Sequence, residues 1–131
     1  MTPPGLRLRR TAWRLAICRF GPDDTPPAWV FHSSAEFYAI TRTPSELSVV
    51  CSEDDLPPSV DTQVERDWRA FEVVGPIPFE QTGVISGIAS PLAAAGVPVF
   101  VISTFDTDYV LVKHADLGRA SAILAEHFTL E

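Results

Sequence analysis

This chain has little of what would place a protein in a membrane, on a nucleic acid or around a metal. No apolar run reaches the ~18 residues of a membrane-spanning helix. The opening stretch "MTPPGLRLRRTAW" is basic but lacks the apolar core of an export signal. No membrane partner and a cytoplasmic location are therefore expected. Only 10 Lys and Arg stand against 17 Asp and Glu, a formal charge of −7. That field repels polyanions, which argues against a nucleic-acid partner, and leaves cationic small molecules acceptable. The three histidines, His32, His114 and His127, form no i, i+4 pair and neighbour no cysteine cluster, so no metal site is expected. Cys18 and Cys51 lie far apart within apolar segments and read as reduced, buried thiols. There is no G-x-S-x-G elbow, no phosphate loop and no placed Cys–His pair. A non-catalytic protein without a cofactor is the expectation.

What is present suffices for a core. Apolar residues make up 46% and aromatics 10% of 131 residues, enough for one compact domain or two very small ones sharing a core. In the first half, "RLAICRF" (14–20), "EFYAIT" (36–41) and "ELSVVC" (46–51) read as strands, the last two joined by a turn at Arg42–Ser45. The polar, proline-bearing segment 53–66 reads as a linker, and "WRAFEVV" (68–74) as a further strand. The period then changes. Ile85, Ile88, Ala89, Leu92 and Ala95 follow helical spacing, ended by Gly96 and Pro98. Pro91 inside that pattern predicts a kink or a late helix start, eased because the residue four back is Gly87. "VPVFVIS" and "DYVLVK" form a hairpin. A last helix follows, with Asp116 as cap and Leu117, Ala120, Leu124, His127 and Phe128 on one stripe.

Residues 68–128 thus read β-α-β-β-α, and the first half repeats part of it. At an offset of 62, "AITRTPSELSVV" (39–50) falls on "VISTFDTDYVLV" (101–112), matching Glu46 with Asp108. At an offset of 55, Trp13-Arg14 falls on Trp68-Arg69. The first copy carries only "PPAWVFHSS" where the second has a helix, so the sequence predicts a duplication with one shortened crossover.

Two carboxylates interrupt the apolar run "VFVISTFDTDYVLV" (99–112). Asp106 is ordinary turn chemistry. Asp108 shares a strand face with Val110 and Val112, where a carboxylate needs a partner unless it sits at a wet rim. Nearby, "EQTGVIS" (80–86) leads into the first helix. The amides of Gly83, Val84 and Ile85 sit there at the positive end of the helix dipole, open to an anion. An anion nest beside an acid suits a zwitterionic, basic amino acid. Thr82 and Ser103 complete the candidate ligand-binding set.

The run 82–117, "TGVISGIASPLAAAGVPVFVISTFDTDYVLVKHADL", resembles the ACT domain, a β-α-β-β-α-β unit that senses amino acids. It is most similar to the paired-ACT branch of small bacterial proteins and the cytosolic arginine sensors called CASTOR. "TRTPSELSVVC" (41–51) resembles that branch's degenerate first unit. The resemblance implies that Gly83, Val84 and Ile85 hold a ligand's amino-acid end, that Asp108 faces a guanidinium, and that a homodimer completes the pocket. The resulting expectation is an α+β protein of two ferredoxin-like (βαββαβ) ACT units in tandem. Residues 1–65 are the degenerate unit with its linker, without a full crossover helix, and 66–131 are the complete domain. Its expected role is binding an amino acid, with a possible protein partner. The alternative is an interaction module that keeps the fold without a ligand.

Overall fold

The computed structural model describes residues 5–31 and 36–131; His32 lies outside them. By internal packing the chain divides into two units. One is Trp13–Trp68; the other joins the chain up to Ala12 with Arg69–Glu131. The boundary expected between 65 and 66 falls inside a strand shared by both, and the N-terminal segment is grouped with the C-terminal unit.

In the unit Trp13–Trp68, strands β2 (Leu15–Phe20), β3 (Ala39–Arg42), β4 (Leu47–Ser52) and the first half of β5 (Gln63–Val73) lie in the order β3-β4-β2-β5. Between β2 and β3 the described residues hold one 3-10 turn, Ala28–Val30, and no crossover helix. Strand β5 begins earlier than expected: Gln63–Arg66, assigned to the linker, belong to it, and Gln63, Val64 and Glu65 pair with β2. Cys18, Val30, Leu47, Val49 and Cys51 form the core, with Trp29 and Ile40 packed on it. Both cysteines are buried and free. A hydrogen bond between them holds the Cys18 thiol below its ordinary value and, with burial, pushes Cys51 up.

The other unit contains strand β1 (Arg7–Arg10), the second half of β5, helix α1 (Val84–Ala94), strands β6 (Phe100–Ser103) and β7 (Asp108–Lys113), helix α2 (Leu117–Ala125) and strand β8 (Thr129–Leu130). Strand β1, which the sequence reading did not anticipate, lies between β5 and β8. It pairs antiparallel with β5 (Leu8 opposite Val73) and parallel with β8 (Leu8 opposite Leu130). Strand β7 pairs with both β5 and β6. Leu8, Phe71, Val73, Val110 and Val112 meet Ile88 and Leu92 of α1 and Ala120 and Leu124 of α2 in one core. The result is an α+β fold with two helices on a mixed sheet.

Pro91 does not delay the start of α1: the helix runs continuously from Val84 through Pro91 to Ala94. Proline still removes one backbone donor there, so Pro91→Ala is expected to stabilise the protein by about 1–3 kcal/mol. Urea unfolding followed by circular dichroism checks this. At the second helix, Asp116 holds the cap position without a capping hydrogen bond and accepts from Arg119 at 3.4 Å. His127 lies past the helix end and is exposed, so it leaves the buried stripe, whereas Phe128 stays in it.

The two hairpins have the same bounds shifted by 61 residues (39 to 100, 42 to 103, 47 to 108, 52 to 113). Their turns close alike. The amide of Thr43 donates to the Glu46 carbonyl at 2.9 Å, and that of Thr104 to the Thr107 carbonyl at 2.8 Å. The offset of 62 read from the sequence was one too many. Glu46 corresponds to Thr107, and the counterpart of Asp108 is Leu47, which is fully buried. The acid at the start of the returning strand belongs to the second hairpin alone.

Candidate functional site

In the C-terminal unit, the loop after β5, the first turn of α1 and the β6–β7 turn line an open cavity of about 440 Å³. Gly83 sits at the head of α1 with φ of 84°, a left-handed conformation that side chains resist, and no side chain caps the helix. The leading amides of α1 have no carbonyl of their own turn to meet, and the dipole adds partial positive charge. The Ser86 hydroxyl donates back to the Gly83 carbonyl at 3.3 Å. Alanine in the same conformation costs about 1–2 kcal/mol, so Gly83→Ala should lower stability by that amount in chemical denaturation.

Across the cavity, Asp108 is the first residue of β7 and stands opposite Ser103 in register. The Ser103 hydroxyl donates to its Oδ1 at 2.5 Å. Alternation puts its side chain on the helix-covered face, with Val110 and Val112. The half-buried carboxylate therefore turns toward α1 and keeps acceptor capacity beyond the one bond from Ser103.

Of the residues singled out in the sequence, Gly83, Val84, Ile85, Ser103 and Asp108 line this cavity; Thr82 is exposed and lies outside its lining. The sequence reading passed over three others. Asp106, assigned only to the turn, lines the wall beside Asp108. Phe79 and Phe105 stand at the rim, 73% and 80% exposed, in edge-to-face contact with ring centres 4.9 Å apart. Their position in the two loops flanking Gly83 and Asp108 was the available signal.

Elsewhere, the Tyr109 hydroxyl donates to Glu72 at 3.2 Å, and Arg9 pairs with the same carboxylate at 2.9 Å. Burial, followed by the Glu72 charge, pushes the Tyr109 hydroxyl above its ordinary pKa. Among the described residues no group of three or more His, Cys, Asp or Glu is placed to hold a metal. None of their helices is long and apolar enough to cross a membrane.

A family model of the ACT domain matches residues 63–126, from the start of β5 to the end of α2. These residues form an ACT domain. A second model, of an N-terminal domain, matches residues 14–59. The crystal structure of protein Atu0741 from Agobacterium tumefaciens is 35% identical, with TM-score 0.87 over 98% of this chain and 94% of that one. The Bos taurus cytosolic arginine sensor for mTORC1 subunit 1 is 32% identical over 75% of this chain and 32% of its own length. The human putative protein CASTOR3P is 29% identical over 72% of this chain and 65% of its own. This ACT protein therefore spans about a third of the arginine sensor it matches.

Proposed function

We propose that this ACT protein is a non-catalytic, cytoplasmic regulator that binds a free amino acid in the cavity between α1 and the β6–β7 turn. The observation that carries the reading is the placement of two complementary groups on one cavity: the uncapped amides of α1 and the carboxylate of Asp108. An α-carboxylate meets the amides of Gly83, Val84 and Ile85, where the dipole favours an anion. A cationic group meets Asp108, oriented by Ser103. The second acid, Asp106, adds to the negative potential of that wall, and Ile85, Phe79 and Phe105 offer apolar surface to the ligand's carbon chain. These features favour arginine or another basic amino acid, and similarity to a named arginine sensor supports the same class.

The two units are a tandem pair in this reading. The order β3-β4-β2-β5 in one and the flanking of β5 by β7 in the other are those of ferredoxin-like sheets, and the matched hairpins support descent by duplication. A second copy of the chain facing the rim would close the cavity, which makes a homodimer the expected assembly. A second reading rests on Phe79 and Phe105: so much exposed aromatic surface also suits a protein partner, with the fold as a ligand-free interaction module.

A thermal-shift screen of the twenty amino acids with ornithine and citrulline separates the two. Selective stabilisation by a basic amino acid supports the sensor. A flat screen at millimolar concentration would move the assignment to the interaction module.

A further inference from the structure

All the residues that line the cavity belong to two segments, Ile77–Ser86 and Ser103–Asp108. Contacts that the ligand reading does not use fasten these segments together. The Ile77 amide donates to the Asp106 carbonyl at 2.7 Å. The Thr107 hydroxyl, on a residue only 8% exposed, donates to the Val73 carbonyl at the end of β5. Gly75 passes directly beneath the turn: a Cβ there would meet the Asp106 carbonyl oxygen at 3.0 Å and the Thr107 Cβ at 3.1 Å.

The turn does not need the Thr107 hydroxyl for its own closure. Thr104 closes it, its hydroxyl accepting from the Thr107 amide at 3.2 Å. In the first hairpin Thr43 closes the matching turn in the same way, accepting from the Glu46 amide at 3.2 Å. Glutamate occupies the Thr107 position there, so an identical turn forms without that hydroxyl. The bond from Thr107 to Val73 is therefore an addition of the cavity-bearing hairpin, and it ties the wall that carries Asp106 and Asp108 to the strand that leads into the opposite wall.

We propose that Thr107 and Gly75 form a latch that sets the width of the cavity, with Thr107 a positioning residue for Asp106 and Asp108. As a statement about ligand affinity this rests on the proposed amino-acid site. As a statement about the two walls it stands alone. Without the hydroxyl the turn still closes but swings on its strands, and the Ile77–Asp106 bond opens more often. At Gly75 a methyl group pushes the turn away directly.

The test compares Thr107→Val, Thr107→Ser and Gly75→Ala with the wild-type chain, using amide exchange of Ile77 by NMR and L-arginine as the probe in calorimetry. Loss of one buried hydrogen bond corresponds to about tenfold in an opening equilibrium. Ile77 should then exchange about tenfold faster in Thr107→Val, and arginine affinity should fall by a similar factor. Gly75→Ala should move both readouts in the same direction. Thr107→Ser, which keeps the hydroxyl, should restore both to wild-type values, which a merely bulky or destabilising role would not do. Unchanged Ile77 exchange in both Thr107→Val and Gly75→Ala overturns the latch. If arginine fails to bind the wild-type chain, the ligand reading falls and the exchange measurement still decides whether the latch exists.

Discussion

Replacing Asp108 with alanine is expected to remove most of the stabilisation that the proposed basic amino-acid ligand confers, while barely changing the stability of the ligand-free chain. A ligand at a hundredfold excess over its Kd stabilises the folded state by about 2.7 kcal/mol, roughly 10 °C in Tm for a domain of this size. The bond between a carboxylate and a cationic ligand group contributes about 1.5–3 kcal/mol, which converts to roughly 10–150-fold in Kd. Most of the thermal shift at a fixed ligand concentration should therefore vanish. Without ligand, Asp108 is half-buried and accepts a hydrogen bond from Ser103, itself exposed, so truncation exposes no buried charge. Asp108→Asn refines the result, because it keeps shape and hydrogen bonding but removes the charge. If Asn binds a basic ligand as tightly as Asp does, charge is not the recognition element. An unaltered thermal shift in Asp108→Ala would place the cationic end of the ligand elsewhere, and with it the role proposed for this residue would be lost.

The largest effect on folding is expected at Leu8. Its side chain is fully buried in the core formed with Phe71, Val73 and the two helices. Its strand supplies the ladder between β5 and β8. Leu8→Ala should cost about 2–5 kcal/mol, a large share of the 5–15 kcal/mol typical of a whole domain. A fragment beginning at residue 63, where the ACT-domain match begins, should fare worse. It lacks β1 altogether, leaving the facing edges of β5 and β8 unpaired and part of the core open to water. Urea titration followed by circular dichroism should show a shifted midpoint for Leu8→Ala and no cooperative transition for the fragment. Cooperative unfolding of the fragment at the wild-type midpoint would make β1 dispensable.

The sequence reading reached most of the regular structure because local periodicity carries it. The spacing of Ile88 and Leu92 announced α1, the alternating runs announced both hairpins, and the absence of a helical pattern between 21 and 38 matches the missing crossover helix among the described residues. It also singled out Gly83, Val84, Ile85, Ser103 and Asp108, because a glycine before a helix and a carboxylate on an apolar face are each locally anomalous. Strand β1 was illegible for the opposite reason. "RLRR" has one apolar residue among three arginines, and only its neighbours β5 and β8, far along the chain, make it a strand.

Pairing between distant segments decided the rest. Register, which a one-residue slip reverses, fixed the hairpin offset at 61 and set Leu47, not Glu46, against Asp108. The helix continued through Pro91 because the face carrying Ile88 and Leu92 is held in the core, which outweighs one missing backbone donor. His127 left the predicted stripe because α2 ends at Ala125. By itself the sequence determined which groups of this ACT protein stand out as candidates for a ligand site, since residue chemistry is local. Only the tertiary structure decided that they share one cavity, and that Phe79, Phe105 and Asp106 join them, because loops far apart in the chain are brought together by the sheet that carries them.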